Sequence, residues 1–402
     1  MIGVSINYRL AGWGFLYSST FAEAGLANLG LLDQRLALHW VQENIAAFGG
    51  SPSKVTIWGE SAGAMSIGAH LIAYGGRDDN LFRAAIAESG GPNLFTTFET
   101  ALVQAGYDNI TKATGCATAS NQISCLRELS FETLNNVLNN TAYYFQPVID
   151  GTFLQGVASK QLASGAFVKV PFLIGANSDE GTAFGEEGIN TDAEFKALVM
   201  SKGANAQTAD IMSYLYPDIP AIGIPGTLVG APTSTTLGLQ YKRQAAFAGD
   251  YLMIGTRRAS CEAWSNYSVP AYCYRFNVLV AGVPSYVGAT HFQEVAFVFD
   301  NVHGYGYVLD AINPFTDEPP TYTKLASIMS RMWVSFVVNL EPNKHGVAGV
   351  PVWPAYDIAD GLGAQDMVFD ANVTTLAYPE RDLFRAEGIA YINEIAASQF
   401  GR

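Results

Sequence analysis

Apolar and polar residues alternate along this chain in two rhythms. Short, dense apolar runs recur, and longer stretches carry apolar residues three and four apart. The first rhythm predicts buried strands and the second amphipathic helices. Val4–Tyr8, Val55–Trp58, Ala84–Gly91, Val170–Ala176 and Tyr272–Val280 are the predicted strands. In Leu29 to Phe48, apolar residues fall at 29, 32, 36, 40, 41, 45 and 48, which predicts a helix with one buried face. Ala64–Leu71 reads as a helix start, Thr323–Val338 as an amphipathic helix and Asp382–Gln399 as a closing helix. Residues of about 98–142 and 191–256 read as mostly helical, the second stretch with a Gly/Pro-rich loop from Pro220 to Pro232. Strands and helices in turn predict an α/β fold. The length of 402 residues exceeds the usual single core. We therefore expect one α/β domain over residues 1–402, with helical insertions at about 98–142 and 191–256.

Composition narrows the picture. Hydrophobic residues make up 49% of the chain, enough for a large buried core. A net charge of −14 argues against nucleic acid and anionic membrane surfaces as partners. No run is long and apolar enough to predict a membrane span. The four cysteines fall in two local pairs, Cys116 with Cys125 and Cys261 with Cys273. That pattern predicts two disulfides and an oxidising compartment. Sequons at Asn109, Asn139, Asn266 and Asn372 are candidate glycosylation sites and point to secretion. No signal peptide is visible, and Met1 leads directly into a predicted strand.

The chemistry centres on Gly59-Glu60-Ser61-Ala62-Gly63. A predicted strand ends there and a predicted helix begins. Strand, G-x-S-x-G and helix together form a nucleophile elbow. Ser61 must sit on a turn tight enough to project its hydroxyl from the top of the sheet. Gly59 and Gly63 leave room for strand and helix to approach. The N–H of Ala62 then points at a developing oxyanion.

A serine hydroxyl needs a base to become nucleophilic. The elbow fold presents its triad in the order serine, acid, histidine. His39 precedes Ser61, and His70 lies on the elbow helix, pointing away. His345 sits in a polar loop and reads as solvated. His291, in a glycine-bearing loop after a strand, and His303 remain as candidate bases. Asp179 and Glu180 follow the strand Val170–Ala176 and are the candidate acids. Ser89 is a rival nucleophile but has Ala87 where an elbow needs glycine, so it reads as structural.

Phe48-Gly49-Gly50, Val55, Ile57 and Gly59 to Gly63 resemble the active-serine signature of the type-B carboxylesterase and lipase family. The likeness recurs in Asn28 to Gly50, in Asp179-Glu180-Gly181, around His291 and in Val352 to Tyr356. It implies an α/β-hydrolase fold with a mostly parallel central sheet. It selects Glu180 as the acid and His291 as the base, and pairs Arg9 with Asp33. It implies carboxylic ester hydrolysis through an acyl-enzyme on a small-molecule or lipid ester, with no cofactor and no metal. The family takes a second oxyanion donor from a His-Gly-Gly-Gly-type loop, and no such motif lies between Met1 and Ser61. N-terminal strands of the fold are therefore expected to be missing, leaving a bare sheet edge, poor solubility and impaired activity; losing one donor typically costs about 10²–10³ in turnover. The rival readings are a non-catalytic adhesion or interaction module of the same fold, or an inactive fragment. Such modules usually lose triad residues, and all three are present here. The sequence does not set the oligomeric state.

Overall fold

The computed structural model describes residues 1–94, 100–140, 145–228, 236–307, 312–359 and 363–402. The ends of the predicted helical stretch at 98–99 and 141–142, and residues 229–232 of the Gly/Pro-rich loop, lie outside the described residues.

Six strands among the described residues form one sheet in chain order. They are β1 (Thr56–Glu60), β2 (Ala84–Glu88), β3 (Phe172–Asn177), β4 (Ala271–Phe276), β5 (Gln365–Phe369) and β6 (Ala377–Arg381). β1 to β5 run parallel, and β6 returns antiparallel to β5. Each parallel step needs a crossover, so the chain lays helices on both faces. Successive strand residues point to opposite faces. Ala85, Ala87, Phe172 and Ile174 pack with Ile67, Leu71 and Trp264 on one side. Ala84, Ile86, Leu173 and Tyr274 pack with Met329, Trp333 and Phe336 on the other. β2 and β3 are buried at every residue, which is why they read as unbroken apolar runs.

Several expectations change. Val4–Tyr8 forms no strand; the segment is largely exposed and none of its backbone groups pairs with a described strand. A strand exists only through its partners, and among the described residues β1 is one edge of the sheet. The helix over 29–48 is an α-helix at Leu29–Asn44 followed by a tighter 3₁₀ turn at Ile45–Phe48. Its buried side matches the predicted one only in part, at Val41 and Ile45. Leu36, Trp40 and Phe48 are exposed, whereas Leu31, Gln34, Arg35 and Val41 face inward. Polar residues are tolerated there because they are paired: Gln34 donates to Ser66 Oγ at 3.0 Å, and Arg35 bonds Asp79. Apolar spacing cannot report a buried face whose polar groups are satisfied.

β4 ends at Phe276 rather than Val280. The closing helix starts only at Ala386, because Asp382 is held by Arg257 and Arg258, and it breaks at Ile395 into Ala386–Glu394 and Ala396–Gln399. β5 and β6 were not predicted. β6 contains Pro379, which suits the edge position it takes. The expected Arg9–Asp33 pair is present, with Arg9 Nη2 2.6 Å from Asp33 Oδ1.

Both predicted disulfides form, with Cα separations of 5.7 Å for Cys116–Cys125 and 6.6 Å for Cys261–Cys273. The second ties the helix Gly255–Asn266 to β4. Peptide mapping without reduction is expected to recover these two linked pairs and no other. Reduction should lower stability by about 2–3 kcal/mol per bridge. Four free thiols in the unreduced map would contradict the pairing.

Candidate active site

The parallel strands bring their carboxyl ends to one rim of the sheet, where such folds build sites. Ser61 follows β1, Ser89 follows β2, and Glu180 lies just beyond β3. His291 arrives on the segment after β4.

Ser61 sits at φ 54° and ψ −117°, a region L-residues rarely adopt. The turn is held from both sides. A Cβ on Gly59 would stand 2.4 Å from the carbonyl carbon of Gly63, so only glycine allows the strand and helix to close. The Ser61 N–H donates to Glu88 O across the β1–β2 pair at 2.9 Å. Ala62 opens the helix Ala62–Gly76, so its N–H lies outside the intrahelical ladder.

Ser61 Oγ lies 2.8 Å from His291 Nε2, and His291 Nδ1 lies 2.7 Å from Glu180 Oε2. Nδ1–H donates to the carboxylate, which leaves Nε2 to accept the serine hydroxyl. The second oxygen of Glu180 accepts from Asn177 N at 2.8 Å and from Ser89 Oγ at 2.5 Å. Glu180 is fully buried and has no freedom to leave this arrangement. Phe184 closes one side of the imidazole, edge-on at 4.8 Å between ring centres.

The other candidates lie elsewhere. His303 is exposed beside Tyr305. His345 accepts a backbone N–H from Val347, and His39 is exposed. His70 is buried against Gln34, and burial, then the charge of Arg35, pushes its imidazole down to about 3. Asp179 ties the loop that carries His291, accepting Ala289 N at 2.9 Å and the Thr227 hydroxyl.

Sequence reasoning did not anticipate the carboxyl groups around this centre. Glu60 Oε1 lies 3.3 Å from His291 Nε2, an ionic contact without hydrogen-bond geometry. Glu294 accepts Asn177 Nδ2 at 2.6 Å and lies 3.4 Å from Ser89 Oγ. Ser89, read as structural, thus bridges Glu180 and Glu294. The available signal was position: each of these residues sits at or just past a strand end, or three residues after His291.

Charge follows burial. For His291, burial opposes the imidazolium, but the hydrogen bond and charge of Glu180, aided by Glu60, outweigh it and lift the group above the ordinary histidine range. Burial pushes Glu60 up to about 7, and His291 restrains it. Burial, then the charges of Glu88, Glu180 and Glu60, pushes Glu294 far up.

The chain is similar to known proteins along most of its length. The carboxylesterase family model matches residues 1–373, and the chain belongs to that family. Its fold is that of the α/β-hydrolases. Secreted lipase 1 of Botryotinia fuckeliana is 34% identical over 371 residues, covering 89% of this chain and 62% of the relative. A secreted triacylglycerol lipase of Gibberella zeae is 34% identical over 375 residues, covering 88% and 60%. The chain thus spans about three-fifths of the length of these curated relatives. The crystal structure of Aspergillus niger EstA superposes with a TM-score of 0.82 at 25% identity, covering 98% of this chain and 74% of that one.

The raised carboxyls fix a sign for stability. A carboxyl raised in the folded state holds a proton that the unfolded chain releases, so stability falls as pH rises from its unfolded to its folded pKa. Glu60, Glu88, Glu294 and Asp366 all act this way. His291, also raised, contributes stability that is lost over the same rise. His70, depressed, is neutral in both states above its ordinary value of 6.5 and drops out. Calorimetry is expected to find Tm lower at pH 8.5 than at pH 6.5, by about 5 °C. A Tm that is level or rising across that window would contradict the protonated-cluster assignment.

Proposed function

We propose that the chain is a serine hydrolase of carboxylic esters that works through an acyl-enzyme. The observation that carries this reading is the unbroken contact chain from Ser61 Oγ through His291 to Glu180, at 2.8 and 2.7 Å, built on an elbow. Ser61 Oγ attacks the ester carbonyl while His291 Nε2 takes its proton. Glu180 holds the tautomer and stabilises the imidazolium without itself taking the proton. The Ala62 N–H donates to the oxyanion. The imidazolium then protonates the departing alcohol. Water repeats the cycle, attacking the acyl carbon as His291 takes its proton, and releases the carboxylic acid. The substrate is a small-molecule or lipid ester; the relatives named lipases favour the lipid class.

We further infer one α/β-hydrolase domain over residues 1–402, with helical insertions at about 98–142 and 191–256. Secretion and glycosylation belong to the same reading. Two disulfides, relatives named secreted lipases and exposed asparagines at 109, 139, 266 and 372 support them. No helix among the described residues is long and apolar enough to cross a membrane.

The test is hydrolysis of a short-chain aryl ester by the protein and by Ser61→Ala. The variant should fall to the buffer rate. Glu180→Gln should lose about 10²–10⁴ in kcat and keep the fold, since the tautomer goes wrong while shape is kept. An adhesion module of this fold would bind its partner and leave the ester untouched. Equal rates for the native chain and Ser61→Ala would overturn the reading. Activity should also rise with pH through the raised His291 value, with an acid-limb midpoint above 6.5. Glu60→Gln removes a charge that favours the imidazolium and should move that midpoint to lower pH.

A further inference from the structure

Glu88 takes no part in the triad, yet it grips the elbow twice. It ends β2 opposite Glu60 in the register, and its side chain is buried. Its backbone oxygen accepts the Ser61 N–H at 2.9 Å. Its side-chain Oε1 accepts two indole N–H groups, from Trp58 at 2.8 Å and from Trp333 at 2.6 Å. Trp58 belongs to the elbow strand. Trp333 belongs to the helix Pro320–Asn339 that packs on this face of the sheet. One oxygen therefore joins the elbow to the layer beneath it.

The grip extends toward the histidine. The Trp58 ring stacks on Phe299, with centres 4.9 Å apart and planes 4° from parallel. Phe299 and Phe292 both line a hollow of about 250 Å³, and Phe292 is the residue after His291. Moving Trp58 would disturb the elbow strand and this aromatic wall together.

A glutamine carbonyl could accept the same two indole N–H groups. A carboxyl adds a proton that can leave, at the cost of burying it. The ionisable groups acting on it are Glu60 from β1, Tyr274 from β4 and Glu294 from the segment after His291. Glu60 in turn contacts His291. Each of these neighbours of Glu88 is an acid, so none offsets a negative charge there. Burial pushes the Glu88 carboxyl up to about 8 against the two indole donors, and Glu60 adds to the rise.

We propose that Glu88 is a positioning residue of this centre: a proton-bearing clamp that fixes Trp58 and the elbow strand, and whose ionisation changes the field on Glu60 and His291. The proposal rests on the ester-hydrolase reading for its kinetic consequence but not for the clamp itself. Ionised Glu88 adds negative charge near a site that must stabilise an oxyanion, so turnover declines when the proton leaves.

The clamp is tested by tryptophan emission across pH 6 to 10 in the native protein and in Glu88→Gln. A step near pH 8 is expected in the native protein and no step in the variant. A step that persists in Glu88→Gln, or that is missing in the native protein, overturns the clamp. This readout needs no activity, so it separates failure of the clamp from failure of the ester-hydrolase reading, which an inert native protein would signal. The field is tested by kcat and KM over the same range on an aryl ester. Native kcat should fall about two- to fivefold above pH 8 with KM little changed, and Glu88→Gln should lack that break. Identical profiles would overturn the field effect. Glu88→Met, which orphans both indoles, should lose about tenfold or more in kcat; if it does not fold, Glu88→Gln still decides the matter.

Discussion

The site depends on one strained residue. Ser61 holds a positive φ that would cost of order 1–3 kcal/mol in a free chain. Four constraints keep it there. Gly59 lies against Gly63 with no room for a side chain, the Ser61 N–H is committed to Glu88 O, and the helix Ala62–Gly76 begins at the next residue. Gly90 contributes as well, since a Cβ there would meet Ala64 Cβ at 2.7 Å. Releasing any one of these would let the serine relax into an ordinary conformation. Its hydroxyl would then leave the line to His291.

A second constraint is electrostatic. Four carboxyl side chains, Glu60, Glu88, Glu180 and Glu294, lie in or beside the buried rim of the sheet. Four negative charges could not share so small a volume in a low dielectric. The arrangement resolves this by unequal treatment. Glu180 receives hydrogen bonds from Asn177, Ser89 and His291. Glu88 and Glu294 are more poorly solvated by their donors, and burial holds their protons on. The imidazole therefore hydrogen-bonds one carboxylate, Glu180, through Nδ1, while Glu60 stands in ionic contact with Nε2. Environments pushed apart in this way are a common mark of acid–base sites.

Much of this was legible in the sequence where a local rule dictates the outcome. The elbow needs glycine two residues before Ser61, at Gly59, although a Cβ on Gly63 would meet nothing within 4 Å, and chain order left few candidates for base and acid. Cysteine spacing pointed to both disulfides. The two fully buried strands, β2 and β3, announced themselves as apolar runs. Failures came where tertiary pairing decides. Val4–Tyr8 has strand composition but no partner among the described residues. Gln365–Phe369 and Ala377–Arg381 have weak patterns but find each other as an antiparallel pair. The helix Leu29–Asn44 buries Gln34 and Arg35 because Ser66, His70 and Asp79 meet them, a fact no periodicity encodes. Glu60, Ser89, Glu88 and Glu294 belong to the same class. Their meaning appears only when the rims of adjacent strands are brought together.

The central claim is that Ser61, and no other serine, is the nucleophile activated by His291. Its most direct measurement is stoichiometric reaction with an aryl dialkyl phosphate, followed by peptide mass mapping. The phosphoryl group should appear once per chain, on the peptide carrying Ser61, and should fail to appear in His291→Ala. Absence of labelling in the native protein, or a label on Ser89 that survives Ser61→Ala, would contradict the account.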